Sequence, residues 1–212
     1  KETDSKISVL NNSISMKVGQ TELKETVDAI QIGATNMLRH VNFEREDILD
    51  YWTCTTNNST LAIYEYTDAL GKNLPGDAHL KGKKCLRLRV DIAKAIAEGS
   101  TYGRANLKST LLKEFKLEPN TTYTFSYWTY KAGNCASSHA TVWEAKTDSS
   151  QNTTIKSIGR TPSLTTYTGS FVPQSVTFTT GDGVDVSHHY VAFYDYFNTS
   201  LTTGTSDMII CM

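Results

Sequence analysis

The 212-residue sequence has few prolines, few cysteines and almost no net charge. It contains 4 Pro and 4 Cys, and its 21 Lys and Arg nearly balance its 22 Asp and Glu, for a formal net charge of −1. A nucleic-acid partner is therefore not expected, because phosphate binding requires an excess of Lys and Arg on one face. No apolar run approaches the length that spans a bilayer, so membrane insertion is not expected either.

The cysteines are not arranged as zinc ligands. Cys54, Cys85, Cys135 and Cys211 are widely separated, with no Cys-x-x-Cys pair and no His at ligand spacing. Each lies in or beside a predicted strand, where a thiol packs as a small apolar residue. One or two disulfides are the alternative if the protein works outside a cell, and the sequence leaves both states open. No cofactor is predicted.

Residues that favour β-strands are abundant. The 11 Tyr, together with many Thr, Ser and Asn, favour strands joined by polar turns. Strands are predicted at 34–43, 51–56, 60–66, 84–90, 111–117, 121–131, 137–145, 154–160, 175–180, 189–197 and 207–211. Evenly spaced strands without intervening helices indicate an all-β sandwich rather than a parallel α/β fold.

Two short helices accompany this pattern. One is predicted from Asp91 to Glu98, started by Asp91, with Ile92 and Ile96 facing inward. The other begins at Thr21 within residues 1–29, which we interpret as a stem or linker of extended structure plus a short helix. Its apolar stripe should pack on the following domain or on copies of itself in a homo-oligomer. We expect the chain to be a piece of a longer protein, since it ends within an apolar run.

The predicted strand 121–131 carries large rings on both of its faces. Its alternation places Tyr123, Phe125 and Tyr127 on one side, and Trp128 and Tyr130 on the other. One face can be core. A second face of bulky aromatics indicates that something docks there, because a half-buried strand usually turns small polar residues to water.

Several short motifs resemble one kind of domain. Residues 30–44, IQIGATNMLRHVNFE, followed by Tyr51-Trp52, resemble the opening of jelly-roll domains of the carbohydrate-binding-module type that occur in bacteriophage and prophage tail proteins. The ISMKV text at 14–18, the strand 117–128 and the closing Met208–Cys211 are similar to further parts of these domains. The stretch from Asp91 to Arg104 departs from the pattern and is interpreted as an insertion.

The resemblance implies a fold and a site. It implies a jelly-roll β-sandwich over residues 30–212, with Trp52 as a core anchor and an aromatic face for a sugar. If the strands concerned share a sheet, the ligand-binding groove comprises Trp128, Tyr130, Trp143, Tyr194 and Tyr196, with Arg104, Glu144 and Asp195 as candidate polar contacts. Two alternatives stay open: the face packs against protein, or a one-residue slip exchanges the two faces.

The resemblance also implies a setting. We expect a non-catalytic module of a virion tail, assembled in the bacterial cytoplasm among other tail subunits, that recognises a glycan of the host cell surface. The alternative is a structural spacer or oligomerisation domain of a tail fibre whose aromatic face is a protein interface. Catalysis is not expected, since no Gly-x-Ser-x-Gly text exists and the acidic residues at 44–50 are typical of a solvated turn. A structural calcium ion at Glu44 and Asp207 is a guess from the resemblance.

Overall fold

The computed structural model describes residues 43, 47–65, 84–107, 116–166 and 169–212. The predicted stem at residues 1–29, the predicted strand 34–43 apart from Phe43, most of the predicted strand 111–117, and Glu44 lie outside the described residues. The domain division at residue 30 therefore stays a prediction.

The described residues form strands, one short 3₁₀ turn at Ile48–Asp50 and one short helix. The strands are β1 (Trp52–Cys54), β2 (Ser59–Glu65), β3 (Lys84–Asp91), β4 (Tyr102–Leu107), β5 (Thr122–Gly133), β6 (Cys135–Thr147), β7 (Thr153–Arg160), β8 (Val172–Thr179), β9 (Val186–Phe197) and β10 (Thr205–Cys211), and helix α1 (Ile92–Ala97) connects β3 to β4. Nine of these ten strands overlap a strand predicted from the sequence, and β4 does not.

The strands form two antiparallel sheets of five strands each. Sheet A has the order β1-β4-β9-β6-β7, and sheet B has the order β2-β3-β10-β5-β8. Strands that are distant in sequence lie side by side, as β4 does with β9 and β3 with β10. The all-β sandwich predicted from the sequence is confirmed.

The core lies between the sheets and is centred on Phe193 of β9. The ring of Phe193 is fully buried and contacts Trp52 at 5.4 Å, Tyr127 at 5.2 Å and Phe125 at 6.2 Å between ring centroids. Trp52 comes from sheet A, whereas Phe125 and Tyr127 come from β5 of sheet B. This ring cluster joins the two sheets, and it confirms Trp52 as a core residue.

Helix α1 begins as predicted but faces differently. The Asp91 side chain caps it by accepting a hydrogen bond from the Lys94 backbone N–H at 3.0 Å. Ile92 and Ala95 are buried, whereas Ile96 is 45% exposed, so the prediction of an inward Ile96 is wrong. A helix of six residues presents only one narrow face to the core, and residues 92 and 95 occupy that face. No helix in the described part of the chain is long and apolar enough to cross a membrane.

Strand β4 begins at Tyr102, within the stretch 91–104 that was interpreted as an insertion, and continues to Leu107. The strand is internal to sheet A, between β1 and β9. Its sequence, Tyr-Gly-Arg-Ala-Asn-Leu, lacks β-branched residues. Gly103 is required there because a Cβ at this position would collide with the side chains of Ser59 and Val90. Close contact between the sheets, rather than strand propensity, explains this strand.

The four cysteines are thiols in the structure, in agreement with the first of the two states left open. Cys85 and Cys211 are buried, and Cys54 and Cys135 are half-buried. Burial raises the pKa of Cys54 to about 11 and raises that of Cys135 further. At neutral pH these two thiols are protonated and therefore poor nucleophiles.

Replacing Phe193 with Ala should lower the free energy of unfolding by about 3–5 kcal/mol, because it leaves a cavity where both sheets meet. Chemical denaturation followed by tryptophan fluorescence measures this loss. The matched control is Ile155→Ala on β7, where the side chain is 56% exposed and a change below about 0.5 kcal/mol is expected. Similar losses for both variants would show that Phe193 is not central to the core.

Candidate functional site

Strand β9 separates core rings from surface rings. Val191 and Phe193 point between the sheets, and the alternating residues Tyr190, Tyr194 and Tyr196 point away from the core on the outer side of sheet A. The predicted ligand contacts Tyr194 and Tyr196 lie on this outer side. Because β9 is the middle strand of sheet A, its outer residues lie at the centre of that surface.

The neighbouring strands bring further rings to the same side. On β6, His139 lies opposite Tyr194 and Trp143 lies opposite Tyr190. On β4, Arg104 lies opposite Tyr194 and Tyr102 lies opposite Tyr196. We name this surface the aromatic face and define it by Tyr102, Arg104, His139, Trp143, Arg160, Tyr190, Tyr194 and Tyr196.

The rings of the aromatic face are in contact with one another. His139 stacks on Tyr194 at 4.8 Å and on Tyr196 at 5.6 Å between ring centroids, with interplanar angles of 11° and 20°. Tyr102 contacts Tyr194 at 5.6 Å and Tyr196 at 5.2 Å, and Trp143 stacks on Tyr190 at 6.3 Å. Such contacts hold each ring in one orientation, so the surface is ordered before any ligand arrives.

Arg104 lies among three of these rings. Its guanidinium carbon is 5.3 Å from the ring centroid of Tyr194, 5.7 Å from that of Trp143 and 5.8 Å from that of Tyr190, all within cation–π range. Arg104 Nη2 donates a hydrogen bond to the Tyr190 hydroxyl at 3.2 Å. These contacts anchor the positive charge at the centre of the aromatic face.

Two buried N–H donors of the aromatic face lack a well-formed hydrogen bond among the described residues. Arg104 Nε is buried and has no hydrogen-bond partner among the described residues. Trp143 Nε1 lies beside the Tyr194 hydroxyl but has no partner of good hydrogen-bond geometry in the described part of the chain. Unpaired buried donors are costly, and an outside acceptor reaches either atom only after the neighbouring side chains shift.

The aromatic face is partly open to solvent. Tyr102, Arg104, Trp143 and Tyr196 are partly exposed, whereas Tyr190, Tyr194 and His139 are buried beneath and between them. Burial raises the pKa of Tyr194 and of Tyr196 above the usual tyrosine range, so both hydroxyls remain protonated donors at neutral pH. A ligand would therefore contact Trp143, Tyr196, Tyr102 and Arg104 first.

His139 is a neutral ring in this setting. Burial, together with the nearby Arg160 guanidinium, lowers the pKa of His139 from 6.5 to about 4. Arg160 Nη2 lies 3.5 Å from His139 Nδ1 and donates to Ser163 Oγ at 3.0 Å. His139 therefore contributes a flat uncharged surface at neutral pH, and the positive charges of the face belong to Arg104 and Arg160.

The predicted groove does not form as one site. Trp143, Tyr194, Tyr196 and Arg104 do share a face, but Trp128 and Tyr130 lie on β5, which belongs to sheet B. The expectation that all five rings line one groove is therefore wrong. Alternation within a strand was predicted correctly, whereas the assignment of strands to sheets depends on contacts far apart in sequence.

Tyr130 and Trp128 instead lie on the outer side of sheet B. Tyr130 is 7% exposed and packs on Phe171 at 5.7 Å, in a small hydrophobic cluster with Ile209 and the two buried cysteines. Trp128 is half-buried and lines a shallow cavity of about 360 Å³. Its other lining residues are Ser126, Tyr127, Pro173, Gln174, Ser175 and Met212.

Glu144 and Asp195 do not reach the aromatic face, because both point between the sheets. Glu144 is buried 3.4 Å from His189 Nε2. Asp195 is fully buried and accepts a hydrogen bond from Ser206 Oγ at 2.5 Å. Burial raises the pKa of Asp195 from 3.8 to about 7. Their predicted role as polar ligand contacts is therefore wrong, because alternation directs positions 144 and 195 inward.

Asp207 is already bound to cations of the protein. Its carboxylate accepts two hydrogen bonds from Arg89, at 2.7 and 3.1 Å, and lies 3.7 Å from Arg87 Nε. The pKa of Arg89 is raised by this contact. No group of three His, Cys, Asp or Glu suited to a metal ion occurs among the described residues. The guess of a calcium ion at Glu44 and Asp207 does not fit the Asp207 carboxylate.

Four residues of this surface were not among the predicted ligand contacts: Tyr102, His139, Arg160 and Tyr190. Tyr102 belongs to β4, which was not predicted, and Arg160 ends β7 as the partner of Thr141. The available signal was the alternation of Tyr102, Arg104 and Asn106, which places one ring and two polar groups on the same side of a strand.

Comparison with known proteins finds similarity in structure only. No protein-family profile matches the chain, and no curated protein sequence matches it. Among solved structures, it is similar to the enzymatically active domain of tailspike protein 4 of bacteriophage CBA120, with a TM-score of 0.51 and 14% identity over 83% of this chain and 20% of that chain. This similarity shows a shared fold.

Two further solved structures come from Clostridium thermocellum. One joins a family 22 carbohydrate-binding module to the catalytic module of endo-1,4-β-D-xylanase 10B in complex with xylohexaose, with a TM-score of 0.46 and 14% identity over 81% of this chain and 26% of that chain. The other is the C-terminal family 22 carbohydrate-binding module of the same enzyme. Its TM-score is 0.47, with 15% identity over 85% of this chain and 96% of that chain. This chain thus spans about a quarter of the first structure and a fifth of the tailspike.

Lowering the pH from 6.5 to 4 should destabilise the parent protein more than His139→Gln. The folded state keeps His139 neutral down to pH about 4, whereas the unfolded chain takes up the proton near pH 6.5. Full stability is therefore present above pH 6.5, and about 2–3 kcal/mol of it is lost as the pH falls to 4. Urea unfolding of both proteins at several pH values measures the difference in slope, and equal slopes would contradict the buried neutral state of His139.

Proposed function

We propose that this protein is a non-catalytic glycan-binding module and that the aromatic face of sheet A binds the sugar. The observation that carries the proposal is the ordered set of rings on β4, β6 and β9, which is partly open to solvent and has the Arg104 guanidinium among the rings. The glycan function agrees with the sequence resemblance, and the site differs from the groove first predicted.

The chemistry of the face suits a sugar. One side of a pyranose ring carries C–H groups that pack on flat aromatic surfaces, and its hydroxyls accept and donate hydrogen bonds at the edge. Trp143 and Tyr196 offer partly exposed rings on which the C–H groups of a sugar pack. The partly exposed guanidinium of Arg104 and the protonated hydroxyl of Tyr196 offer donors to the sugar hydroxyls. The combination of ring faces with donors at their edges favours a carbohydrate over a purely apolar ligand.

The order of the rings supports binding without large adjustment. Each ring of the set touches another ring or Arg104, as His139 does with Tyr194 and Tyr102 with Tyr196. Rigid aromatic side chains lose little entropy when a ligand covers them. The platform is also built on strands rather than loops, which keeps its geometry constant.

Binding rather than cleavage fits the charges on this face. Hydrolysis of a glycosidic bond requires two carboxyl groups facing each other across the bond. The described residues of the aromatic face are tyrosines, a tryptophan, a histidine and two arginines. Glu144 and Asp195, the nearest acidic residues on β6 and β9, point into the core. We therefore propose a binding module without hydrolase activity.

We propose that the module works in the tail of a bacteriophage or prophage, where it holds a glycan of the host cell surface. The motifs that resemble tail-protein domains and the fold shared with a phage tailspike domain support this setting. Weak binding by one copy suffices, because several copies on one tail multiply the avidity. Other tail subunits are its protein partners in this proposal, and it acts outside the bacterium after assembly in the cytoplasm.

Replacing Trp143 or Tyr196 with Ala should weaken glycan binding more than about tenfold, because each change removes a partly exposed ring of the platform. Retention on purified host cell walls and titration on a glycan array measure the loss. Far-ultraviolet circular dichroism establishes that the variants are folded.

Trp128→Ala is the matched comparison, since it removes a half-buried tryptophan from the other sheet. It should bind as the parent does. Loss of binding in Trp128→Ala with full binding in Trp143→Ala would move the site to sheet B. If the Trp143 and Tyr196 variants instead change the oligomeric mass in light scattering and no glycan binds the parent, the face is a protein interface and the module is a spacer.

A further inference from the structure

We propose that the aromatic face selects an acidic glycan, one that bears carboxylate or phosphate groups, over a neutral one. This inference rests on the proposed function and adds the chemical class of the ligand. It is drawn from the two guanidinium groups of the face and from what surrounds them.

The surroundings of Arg104 are suited to binding an anion. Three rings surround its guanidinium at 5.3 to 5.8 Å, and its one hydrogen bond from Nη2 goes to the neutral hydroxyl of Tyr190. Nε is buried without a partner among the described residues. The fork of N–H donors on arginine matches the two oxygens of a carboxylate or phosphate.

Arg160 places a second positive charge on the same face. It lies at the edge strand β7, with Nη2 beside His139 and bonded to Ser163. Across sheet A, Arg104 of β4, Tyr194 of β9 and His139 of β6 lie in one row, and Arg160 of β7 lies opposite Thr141, two residues along β6 from His139. Two cations therefore flank one pair of stacked rings, at a backbone separation of roughly 14 Å for three strand intervals.

Within the described residues, neither arginine forms an ion pair with a carboxylate of the protein. The arginines on the outer side of sheet B differ in this respect, because Arg89 and Arg87 are both bound to Asp207. Arg87 also donates to the Tyr64 hydroxyl. Among the described residues, the arginines of one outer face are thus neutralised by Asp207, and those of the other have no carboxylate partner.

This arrangement favours an anion from the ligand. A half-buried guanidinium surrounded by rings has lost part of its water, and a carboxylate partner would compensate for that loss more than a sugar hydroxyl would. Charge-assisted hydrogen bonds are also about twice as strong as neutral ones. The stacked rings would hold the sugar, and the guanidinium groups would select its charge.

The test uses an array of acidic oligosaccharides, each paired with a neutral counterpart. Uronic-acid oligomers are paired with their methyl esters, and glycerol-phosphate-bearing glycans are paired with their dephosphorylated forms. The parent should bind acidic members at least about tenfold more tightly than their counterparts. Raising the salt concentration from 50 to 500 mM should reduce this preference, because exposed charges are screened. The carboxylate and phosphate arms identify the source of the anion.

Arg104→Gln should lose the preference for acidic members, and Arg160→Gln should reduce it without disturbing the ring packing. Lys156→Gln is the matched control, because it removes the same charge from an exposed position on β7 that faces away from the aromatic face. If the parent and Arg104→Gln both bind neutral and acidic members equally well, the acidic preference is wrong. The proposal of glycan binding would stand. Absence of any binding that depends on Trp143 would overturn both proposals.

Discussion

The packing of Phe193 against Trp52, Phe125 and Tyr127 is the contact on which the rest of this structure depends. It joins the middle strand of sheet A to β5 of sheet B and thereby determines which side of β9 is core. Once Phe193 points inward, the alternation of a strand directs Tyr194 outward and Asp195 inward again. The buried Asp195, with its raised pKa and its short bond to Ser206, is a cost of that alternation.

The order of strands in sheet A then builds the aromatic face. Because β4 and β6 flank β9, their outward residues meet the outward tyrosines of β9, and Arg104, His139 and Trp143 come together although they are far apart in the sequence. Gly103 lets β4 approach sheet B closely, since any side chain there would strike Ser59 and Val90. The position of Arg104 over three rings thus depends on a neighbour that has no side chain.

Local pattern was enough to predict nine of the ten strands, the cap of α1 and the two faces of β5. These features depend on alternation and on Asp91, and both are visible in a few consecutive residues. The grouping of Trp128 and Tyr130 with Trp143 was wrong because the sheet to which a strand belongs depends on contacts between distant segments. Strand β4 was missed for the same reason, since packing of Gly103 between the sheets outweighs its weak strand propensity.

The separation of inward and outward residues on β9 has an evolutionary consequence. Substitution at position 196, whose ring is partly exposed, alters the outer surface, while positions 191 and 193 continue to pack between the sheets. Because inward and outward residues of the strand contact different neighbours, a change of the exposed ring leaves the contacts of Phe193 between the sheets in place. Divergence in specificity can proceed one outward residue at a time on an unchanged scaffold.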